Sequence, residues 1–280
     1  MTVSVLVPSS LARELTDKRE ATRKLGYVAR AATIFRADRL VVFPDPRGED
    51  GATWGGGFVE TVLRYAATPP YLRKEAWASR DELEYAGVLP PLCTRPWTGS
   101  GSDDSGSLRQ GIVTEVGPDQ RVRVNCGMQH PISLPVPSER TVEEGERVAV
   151  RIISRQPVRA RLTDEPIPGP VIDRADLFAA LDRANAGYRI AASRRGKTLT
   201  LARLSRLVDR IESDGMTVVF GAPQRGLVEI LTDHPRIDAP VTPGDGPFDC
   251  WLNTIPRQGS DVVRTEEAMF ATLACLTLTE

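Results

Sequence analysis

Three glycine-containing loops in the C-terminal half of the chain lie where a small molecule could bind. They cover residues 193–196, 221–227 and 253–261, and each follows a run of residues typical of a β-strand. In parallel α/β folds, ligands collect at the carboxyl ends of strands, where such loops expose backbone N–H and C=O groups. We therefore expect a ligand site at these loops.

The same loops do not carry either of two common nucleotide-binding motifs. Gly221 and Gly226 have the first spacing of a phosphate-binding P-loop, but Leu227 and Val228 follow them instead of Lys and Ser or Thr. The Trp-Gly-Gly-Gly run at 54–57 lacks the G-x-G-x-x-G spacing of a dinucleotide-binding turn. The pattern disfavours a nucleoside triphosphatase and a nicotinamide enzyme.

The third loop is the most informative. It combines a proline turn, Asn253-Thr-Ile-Pro256, with the Gln-Gly-Ser run at 258–260 and an Arg-Thr-Glu-Glu-Ala helix start at 264–268. We predict Thr265 as the N-cap of that helix, with the two glutamates at its positive end. A simple strand-to-helix turn accounts for the cap but not for the Asn-Thr-Ile-Pro run.

The elements around these loops alternate between strand and helix patterns. Before residue 107 we predict strands at 3–7 and 39–43, a long amphipathic helix starting at Ser9-Ser10, and a helix at 58–67. After residue 164 we predict helices at 174–184, 201–213, near 227 and at 265–277, with strands at 188–192, 217–220 and 248–252. This order predicts an α/β fold with a mostly parallel sheet and helices on both faces.

The segment between these halves has a different residue composition and a pattern of short strands. A Gly-, Ser- and Asp-rich linker at 98–107 precedes it, and a Pro/Gly-rich joint at 166–170 follows it. Four short β-type runs lie between them, at 111–116, 121–126, 147–153 and 158–162. We predict a discontinuous α/β domain, 1–107 with 164–280, interrupted by a small β-barrel of OB or similar type at 108–163.

Composition excludes several classes of protein. The 280 residues are 41% hydrophobic, with a net charge of −1, and the apolar runs are of strand length, well short of the roughly 20 residues of a membrane span. The first residues carry no basic region, so we expect no signal peptide and a cytoplasmic protein. The four cysteines lack metal-ligand spacing, so we expect free, mostly buried thiols and no metal.

Positive charge is concentrated in two segments. Residues 11–40 hold eight Lys/Arg against four Asp/Glu, and residues 151–161 hold four arginines and no acid. Such clusters suit a polyanion such as RNA. A solvated helix face and an ordinary strand edge explain them equally well.

Several separated motifs, in order, resemble one family. They are the runs 24–38 (Lys-Leu-Gly-Tyr-Val-Ala-Arg-Ala-Ala-Thr-Ile-Phe-Arg-Ala-Asp), 63–74, 84–92, 220–227 and 253–268. Together they are similar to the SPOUT-class RNA methyltransferases of archaea and eukaryotes, and the likeness spans nearly the whole chain. It implies a deep trefoil knot with an OB-like insertion, S-adenosylmethionine as cofactor, and a homodimer that acts on RNA, with a uridine of large-subunit ribosomal RNA as the expected target.

Carried over residue by residue, the resemblance implies a cofactor pocket. The cofactor set is Ser193, Gly221, Ala222, Pro223, Gly226, Asn253, Ile255, Pro256, Gln258, Gly259 and Thr265. Separately from the resemblance, we predict RNA contacts at Arg36, Arg151, Arg155, Arg159 and Arg194.

We predict that Arg30 is the catalytic residue. It lies in the basic N-terminal helix among small residues, and related knotted enzymes use an arginine there on the acceptor, often across the dimer interface. Its cationic fork would stabilise negative charge on a base oxygen or hold a phosphate. Pairing with Glu14 or Asp38, or a dimer salt bridge, is the alternative, with Arg36 or Arg264 next in line for the role.

Other reactive or stacking side chains have weaker claims. His130 and His234 have no nucleophile nearby in sequence, and Cys93 and Cys250 have no base, so covalent catalysis is not expected. Trp97 is a candidate RNA contact, whereas Trp251 is predicted to be core. A non-catalytic RNA- or ribosome-binding protein that keeps the knot as a scaffold is the competing function.

Overall fold

The computed structural model describes residues 2–94 and 106–278, which form two compact units. The first unit consists of Met1–Ala67, Asp81–Leu92 and Pro170–Glu280, and the second of Thr68–Arg80 and Cys93–Gly169. Trp97 and most of the predicted linker at 98–107 lie outside the described residues. The domain boundaries expected from the sequence stay a prediction.

The elements follow one another in a mixed α/β order. They are β1 (Val3–Pro8), α1 (Lys18–Ile34), β2 (Arg39–Phe43), α2 (Pro46–Glu49), α3 (Gly56–Ala67), α4 (Arg73–Ala76), β3 (Leu108–Val116), β4 (Arg121–Asn125), β5 (Ile132–Pro135), β6 (Arg147–Arg155), β7 (Val158–Thr163), β8 (Val171–Arg174), α5 (Leu177–Leu181), β9 (Tyr188–Thr198), α6 (Leu201–Asp214), β10 (Met216–Val219), α7 (Leu227–Thr232), β11 (Cys250–Asn253) and α8 (Thr265–Leu276). Three short 3-10 turns lie at Pro70–Leu72, Asp81–Leu83 and Ala86–Val88.

The first unit is built on a six-stranded sheet in the order β11-β9-β10-β1-β2-β8, and every neighbouring pair is parallel. Strand β1 is buried along its whole length, which fits a central strand covered on both sides. Val5 packs into the core that contains α1, α3, α6 and α8, whereas Leu6 packs into the core that contains α5 and α7. The predicted parallel sheet with helices on both faces is confirmed.

The start of α1 differs from the prediction. The helix begins after Asp17, whose carboxylate accepts a hydrogen bond from the backbone N–H of Glu20 at 2.8 Å. Ser9 and Ser10 lie in a turn instead, where their hydroxyls bond the backbone N–H and the carboxylate of Asp45. A long-range partner therefore takes the two serines away from a capping role.

The region after Pro170 also differs. Residues 171–174 form the edge strand β8 beside β2, and α5 is only five residues long, capped by Asp176, whereas we predicted one helix over 174–184. Strand β8 is short and half polar, so it lacks the apolar alternation that identifies a strand from sequence. The hydrogen-bonding edge of β2 determines its conformation.

The second unit contains a separate, nearly closed antiparallel sheet in the order β5-β4-β3-β6-β7. Its end strands β5 and β7 lie close to each other, and the sheet surrounds its own core, which includes Val113, Val124 and Ile152. The small barrel-like sheet predicted here is confirmed. Its assignment to the OB type stays a prediction.

Two further findings bear on the composition. No helix among the described residues is long and apolar enough to cross a membrane. The four cysteines are free, but only Cys126 is buried and Cys93 is exposed, so the expectation of mostly buried thiols is wrong.

Candidate functional site

The three glycine-containing loops surround one cavity of about 330 Å³ in the first unit. We call it the loop cavity. Nine of the eleven residues predicted to bind a cofactor line it: Ser193, Gly221, Ala222, Pro223, Gly226, Asn253, Ile255, Gln258 and Thr265. Arg194, which we predicted as an RNA contact, lines it too, whereas Pro256 and Gly259 are not among its lining residues. The loops thus meet beside the middle of β9 and the carboxyl ends of β10 and β11.

The first wall of the cavity is a bulge inside β9. Ala191 pairs with Trp251, but the next pair along the ladder joins Lys197 to Leu252, so residues 192–196 bulge out between them. The strand therefore does not end at residue 192, as we predicted, but continues to Thr198. A Cβ at Gly196 would lie 2.5 Å from the backbone nitrogen of Leu252, so only glycine allows this approach.

The second wall is the loop after β10. Ala222 and Arg225 exchange backbone hydrogen bonds of 2.9 and 3.1 Å around a tight turn, in which Gln224 has a φ of +60°. The turn brings the backbones of Gly221 and Gly226 together, since a Cβ at Gly221 would lie 3.0 Å from the Gly226 Cα. This compact turn leads directly into α7.

A buried ion-pair cluster anchors the second wall. The Arg225 guanidinium donates to both carboxylate oxygens of Asp45, at 2.8 to 3.0 Å, and to Asp233 at 2.9 Å. The Asp45 side chain is 2% exposed. Hydrogen bonding to Asp45 raises the pKa of Arg225, and bonding to Arg225 lowers the pKa of Asp233. We call this the Asp45–Arg225 clamp; sequence reasoning missed it.

The third wall is the loop after β11, and Asn253 joins it to the first. The Asn253 amide nitrogen donates to the backbone oxygen of Arg194, while its amide oxygen accepts from the N–H of Ile255, both at 3.0 Å. Gln258 donates to the backbone oxygen of Ser260 at 2.8 Å. These two amides therefore shape the loop, which leaves backbone groups to face a ligand.

Thr265 has a different role from the one predicted. Arg264 is the N-cap of α8, with an extended backbone and its N–H bonded to the Glu267 carboxylate at 2.8 Å. Thr265 is already helical, and its hydroxyl donates to the backbone oxygen of Gly221 at 2.9 Å. The start of α8 is thereby fixed to the second wall.

A buried carboxyl group follows Thr265. Glu266 is 7% exposed, one of its oxygens has no hydrogen-bond partner among the described residues, and burial raises its pKa. The side chain is not among those lining the loop cavity. It belongs to the interior at the start of α8, where Lys24 of α1 supplies positive charge.

The loop cavity combines apolar walls with backbone polar groups. Phe220, Leu227, Leu252 and Ile255 supply apolar surface between the three loops. Such a site suits a flat heteroaromatic group held by backbone hydrogen bonds. A Cβ at Gly259 would meet no atom of the protein within 4 Å, so the space beside this residue is open.

Arg30, the predicted catalytic residue, is not among the residues that line the loop cavity. Its guanidinium donates to the backbone oxygen of Pro91 at 2.5 Å. The two alternative partners are engaged elsewhere, since Glu14 pairs with Lys24 and Asp38 accepts from the N–H of Val3. The structure therefore holds Arg30 at the end of the 81–92 segment, and its catalytic role stays a prediction.

The predicted RNA contacts are divided between the two units. Arg36 is exposed just after α1, where its φ is +51°. In the second unit, Arg151 pairs with Glu165, with one contact of 2.7 Å, while Arg155 is half-buried and donates to the Met128 sulfur. Arg159 is exposed on β7. The ion pair makes Arg151 a poor test residue for RNA binding.

His234 and Trp251 make contacts within the fold and do not line the loop cavity. His234 lies 3.0 Å from the Asp176 carboxylate and 4.6 Å, between ring centroids, from Phe178. Trp251 is 4% exposed and donates to the backbone oxygen of Asp245 at 2.8 Å, which confirms it as core. In residues 2–94 and 106–278, no group of three or more His, Cys, Asp or Glu side chains is arranged to hold a metal.

Comparison with known proteins identifies relatives along the whole chain. A family model described as "Putative RNA methyltransferase" matches residues 2–276. An uncharacterized protein of Haloarcula marismortui is 65% identical over 283 residues, covering 100% of both chains, and one of Halobacterium salinarum is 65% identical over 285 residues, again covering 100% of both. The human 28S rRNA (uridine-N(3))-methyltransferase is 29% identical over 308 residues, which cover 98% of this chain and 77% of the human protein.

Proposed function

The chain belongs to the RNA methyltransferase family whose model matches residues 2–276, and from this premise we propose that it transfers a methyl group from S-adenosylmethionine to a uridine in ribosomal RNA. The observation that carries the proposal is the loop cavity at the bulge of β9 and the carboxyl ends of β10 and β11. Its position is where parallel α/β folds bind ligands. The name of the human relative, a uridine-N(3)-methyltransferase of 28S rRNA, supports the choice of base and RNA.

The residues present fit the cofactor. Bound in the loop cavity, S-adenosylmethionine would supply an activated methyl group. Backbone groups of the 221–226 and 253–264 loops would hold its adenine between the apolar walls. Asn253 and the Thr265 hydroxyl fix the distances between the three loops, so the pocket would be organised before the cofactor arrives.

The same proposal includes a trefoil knot and a homodimer. The bond from Thr265 to Gly221 joins the first residue of the last helix to the loop after β10, and α8 packs on α1 in the first core. Both features are in keeping with a C-terminal helix threaded through a knot. In the dimer, Arg30 of one protomer would act on the acceptor base near the other protomer's cofactor.

The role proposed for Arg30 is electrostatic. An arginine stays protonated, so it would not remove the acceptor proton itself. Its guanidinium would stabilise the negative charge that develops on a uridine oxygen as the proton leaves the base. The second unit, with an OB-like barrel, would add RNA affinity.

Cofactor binding and methyl transfer test the proposal together. We expect calorimetry to detect S-adenosylmethionine binding, and methyl transfer to large-subunit ribosomal RNA to map to a uridine. Arg30→Lys keeps the charge but loses the fork, so turnover should fall about 10²-fold with cofactor affinity and dimer mass unchanged. Wild-type turnover in this variant would assign the role to another residue.

The alternative is a non-catalytic RNA- or ribosome-binding protein built on the same scaffold. Purified protein that binds RNA but not S-adenosylmethionine would favour it. For the barrel, Arg159→Ala should lower the salt dependence of RNA binding and leave cofactor affinity unchanged, since Arg159 is exposed on β7. An unaltered salt dependence would remove this face from the RNA surface.

A further inference from the structure

A second cavity, of about 530 Å³, lies beside the loop cavity in the first unit and is strongly basic. Five cationic side chains and one carboxylate line it: Arg195, Lys197, Arg203, Arg206, Arg210 and Asp249. Asp249 already makes a two-pronged ion pair with Arg189, with both contacts at 3.0 Å. The basic cavity therefore carries a large excess of positive charge.

Three arginines of helix α6 supply most of this charge. Arg203, Arg206 and Arg210 follow one another at intervals of three and four residues, which places them on one face of the helix. All three line the basic cavity, whereas Asp209 and Glu212 of the same helix do not. Segregation of this kind, with cations on one concave face, is what a polyanion requires.

Two of the cations are available to a ligand. Lys197 and Arg206 are exposed, and neither side chain makes a hydrogen bond or an ion pair with any residue in the described part of the chain. Two others are held in place: Arg203 donates to the backbone oxygen of Thr198, and Arg210 lies 5.2 Å from the centre of the Tyr188 ring and pairs with Asp214 at 3.5 Å. The site combines fixed arginines with unpaired cations, an arrangement suited to successive phosphates.

Arg195 connects the two cavities. It lines both of them, next to the bulge of β9 that also forms the first wall of the loop cavity. Its carboxylate partner, Glu229, is 3.6 Å away and exposed, so this pair is weak and open to exchange. A chain of phosphates that occupies the basic cavity would thus lead to the edge of the loop cavity.

We propose that the basic cavity binds the phosphate backbone of the RNA substrate, beside the nucleotide that receives the methyl group. The inference rests on the proposed function, because it takes RNA as the substrate. It adds a binding site on α6 and β9 to the arginines predicted from the sequence. The contacts would be independent of base sequence, since phosphate groups carry none.

The test uses the full-length protein and a short fluorescein-labelled oligouridine. In the Lys197→Ala/Arg206→Ala double variant, each lost phosphate contact should lower the slope of log affinity against log salt by about 0.7. The same relation gives an affinity loss of roughly fourteen-fold for two contacts at 0.15 M salt. Since both side chains are exposed and unpaired, folding should be unaffected, and calorimetry should show unchanged S-adenosylmethionine affinity.

The matched control is Arg174→Ala. Arg174 is an exposed arginine at the end of β8, the opposite edge strand of the same sheet, and its contact to Glu60 is 3.8 Å. This variant should keep the wild-type salt slope. An equal slope in the double variant and the control would overturn the proposal, as would a change in oligomeric mass with RNA affinity preserved, which would make the cavity a protein interface.

The outcome is separable from that of the proposed function. Wild-type protein that binds oligouridine through Lys197 and Arg206 but does not bind S-adenosylmethionine would refute the methyltransferase and keep the phosphate site. Methyl transfer at the wild-type rate, with unchanged salt dependence, by the double variant would do the reverse.

Discussion

The Asp45–Arg225 clamp holds the second wall of the loop cavity, and Asp45→Ala tests how much the wall depends on it. The substitution removes the Asp45 carboxylate, which is 2% exposed and accepts three hydrogen bonds from Arg225. Removing one partner of a buried ion pair costs about 3–5 kcal/mol. Because Arg225 keeps Asp233 at 2.9 Å, we expect the lower end, about 3 kcal/mol.

Thermal unfolding and calorimetric titration measure the two consequences. For a unit of this size, about 3 kcal/mol corresponds to a fall in Tm of roughly 6–12 °C. The 221–226 loop would then reach its binding geometry in a smaller fraction of molecules. If about 1.4 kcal/mol of the lost stability acts on this loop, the affinity for S-adenosylmethionine should fall about ten-fold.

Asp182→Ala provides the matched control. Asp182 makes an exposed ion pair with Arg236 at 3.8 Å, and exposed pairs contribute about 0–1 kcal/mol. If Asp45→Ala lowers Tm no more than Asp182→Ala does and keeps the cofactor affinity, the clamp does not hold the loop and the reasoning is refuted.

Three further substitutions test the other walls. Gly196→Ala places a Cβ 2.5 Å from the backbone of β11, so it should lower the free energy of unfolding by about 1–3 kcal/mol and weaken cofactor binding. The control Gly57→Ala, whose Cβ would have nothing within 4 Å, should raise Tm slightly. Equal effects of the two variants on Tm would contradict the close approach at Gly196. Thr265→Val removes the 2.9 Å bond to Gly221 and should cost about 1 kcal/mol in thermal unfolding and weaken cofactor binding in calorimetry; unchanged affinity would separate the bond from the pocket. Burial raises the pKa of Glu266 in the folded state, so the free energy of unfolding falls as the pH rises from the unfolded-state pKa through the folded-state pKa. Glu266→Gln should therefore raise Tm at pH 7, and this gain should disappear toward about pH 4. A gain that does not vary with pH would contradict this reasoning.

The sequence predicted the parts of the fold that depend on local pattern. The apolar runs at 39–43 and 217–220 are strands, to within a residue or so, because valine-rich runs of this length fit only the interior of a sheet. The loops at 221–227 and 253–261 meet at one cavity because parallel strands end at one edge.

What the sequence did not predict depends on distant partners. Asp45 and Arg225 are 180 residues apart, and nothing in either neighbourhood indicates the other. The hydroxyl of Thr265 bonds a loop 44 residues away, so the capping pattern around it was misleading. The spacing of Arg203, Arg206 and Arg210 on α6 can be read from the sequence. The cavity beside them also needs residues 243–250, which lie opposite this helix face only in the folded structure.

The order of strands in the first sheet has a consequence for how the chain is made. Strands β1 and β2 emerge early, yet their outer neighbours are β10 and β8, and β8 does not begin until Val171. At about 5–20 residues per second, synthesis from the end of β2 to that point takes roughly 6–25 s. For that time two valine-rich strands have unpaired edges, while β3 and β4, neighbours in sequence, can already pair. The central sheet therefore cannot be completed until the last third of the chain, which contains β9, β10 and β11, has been made.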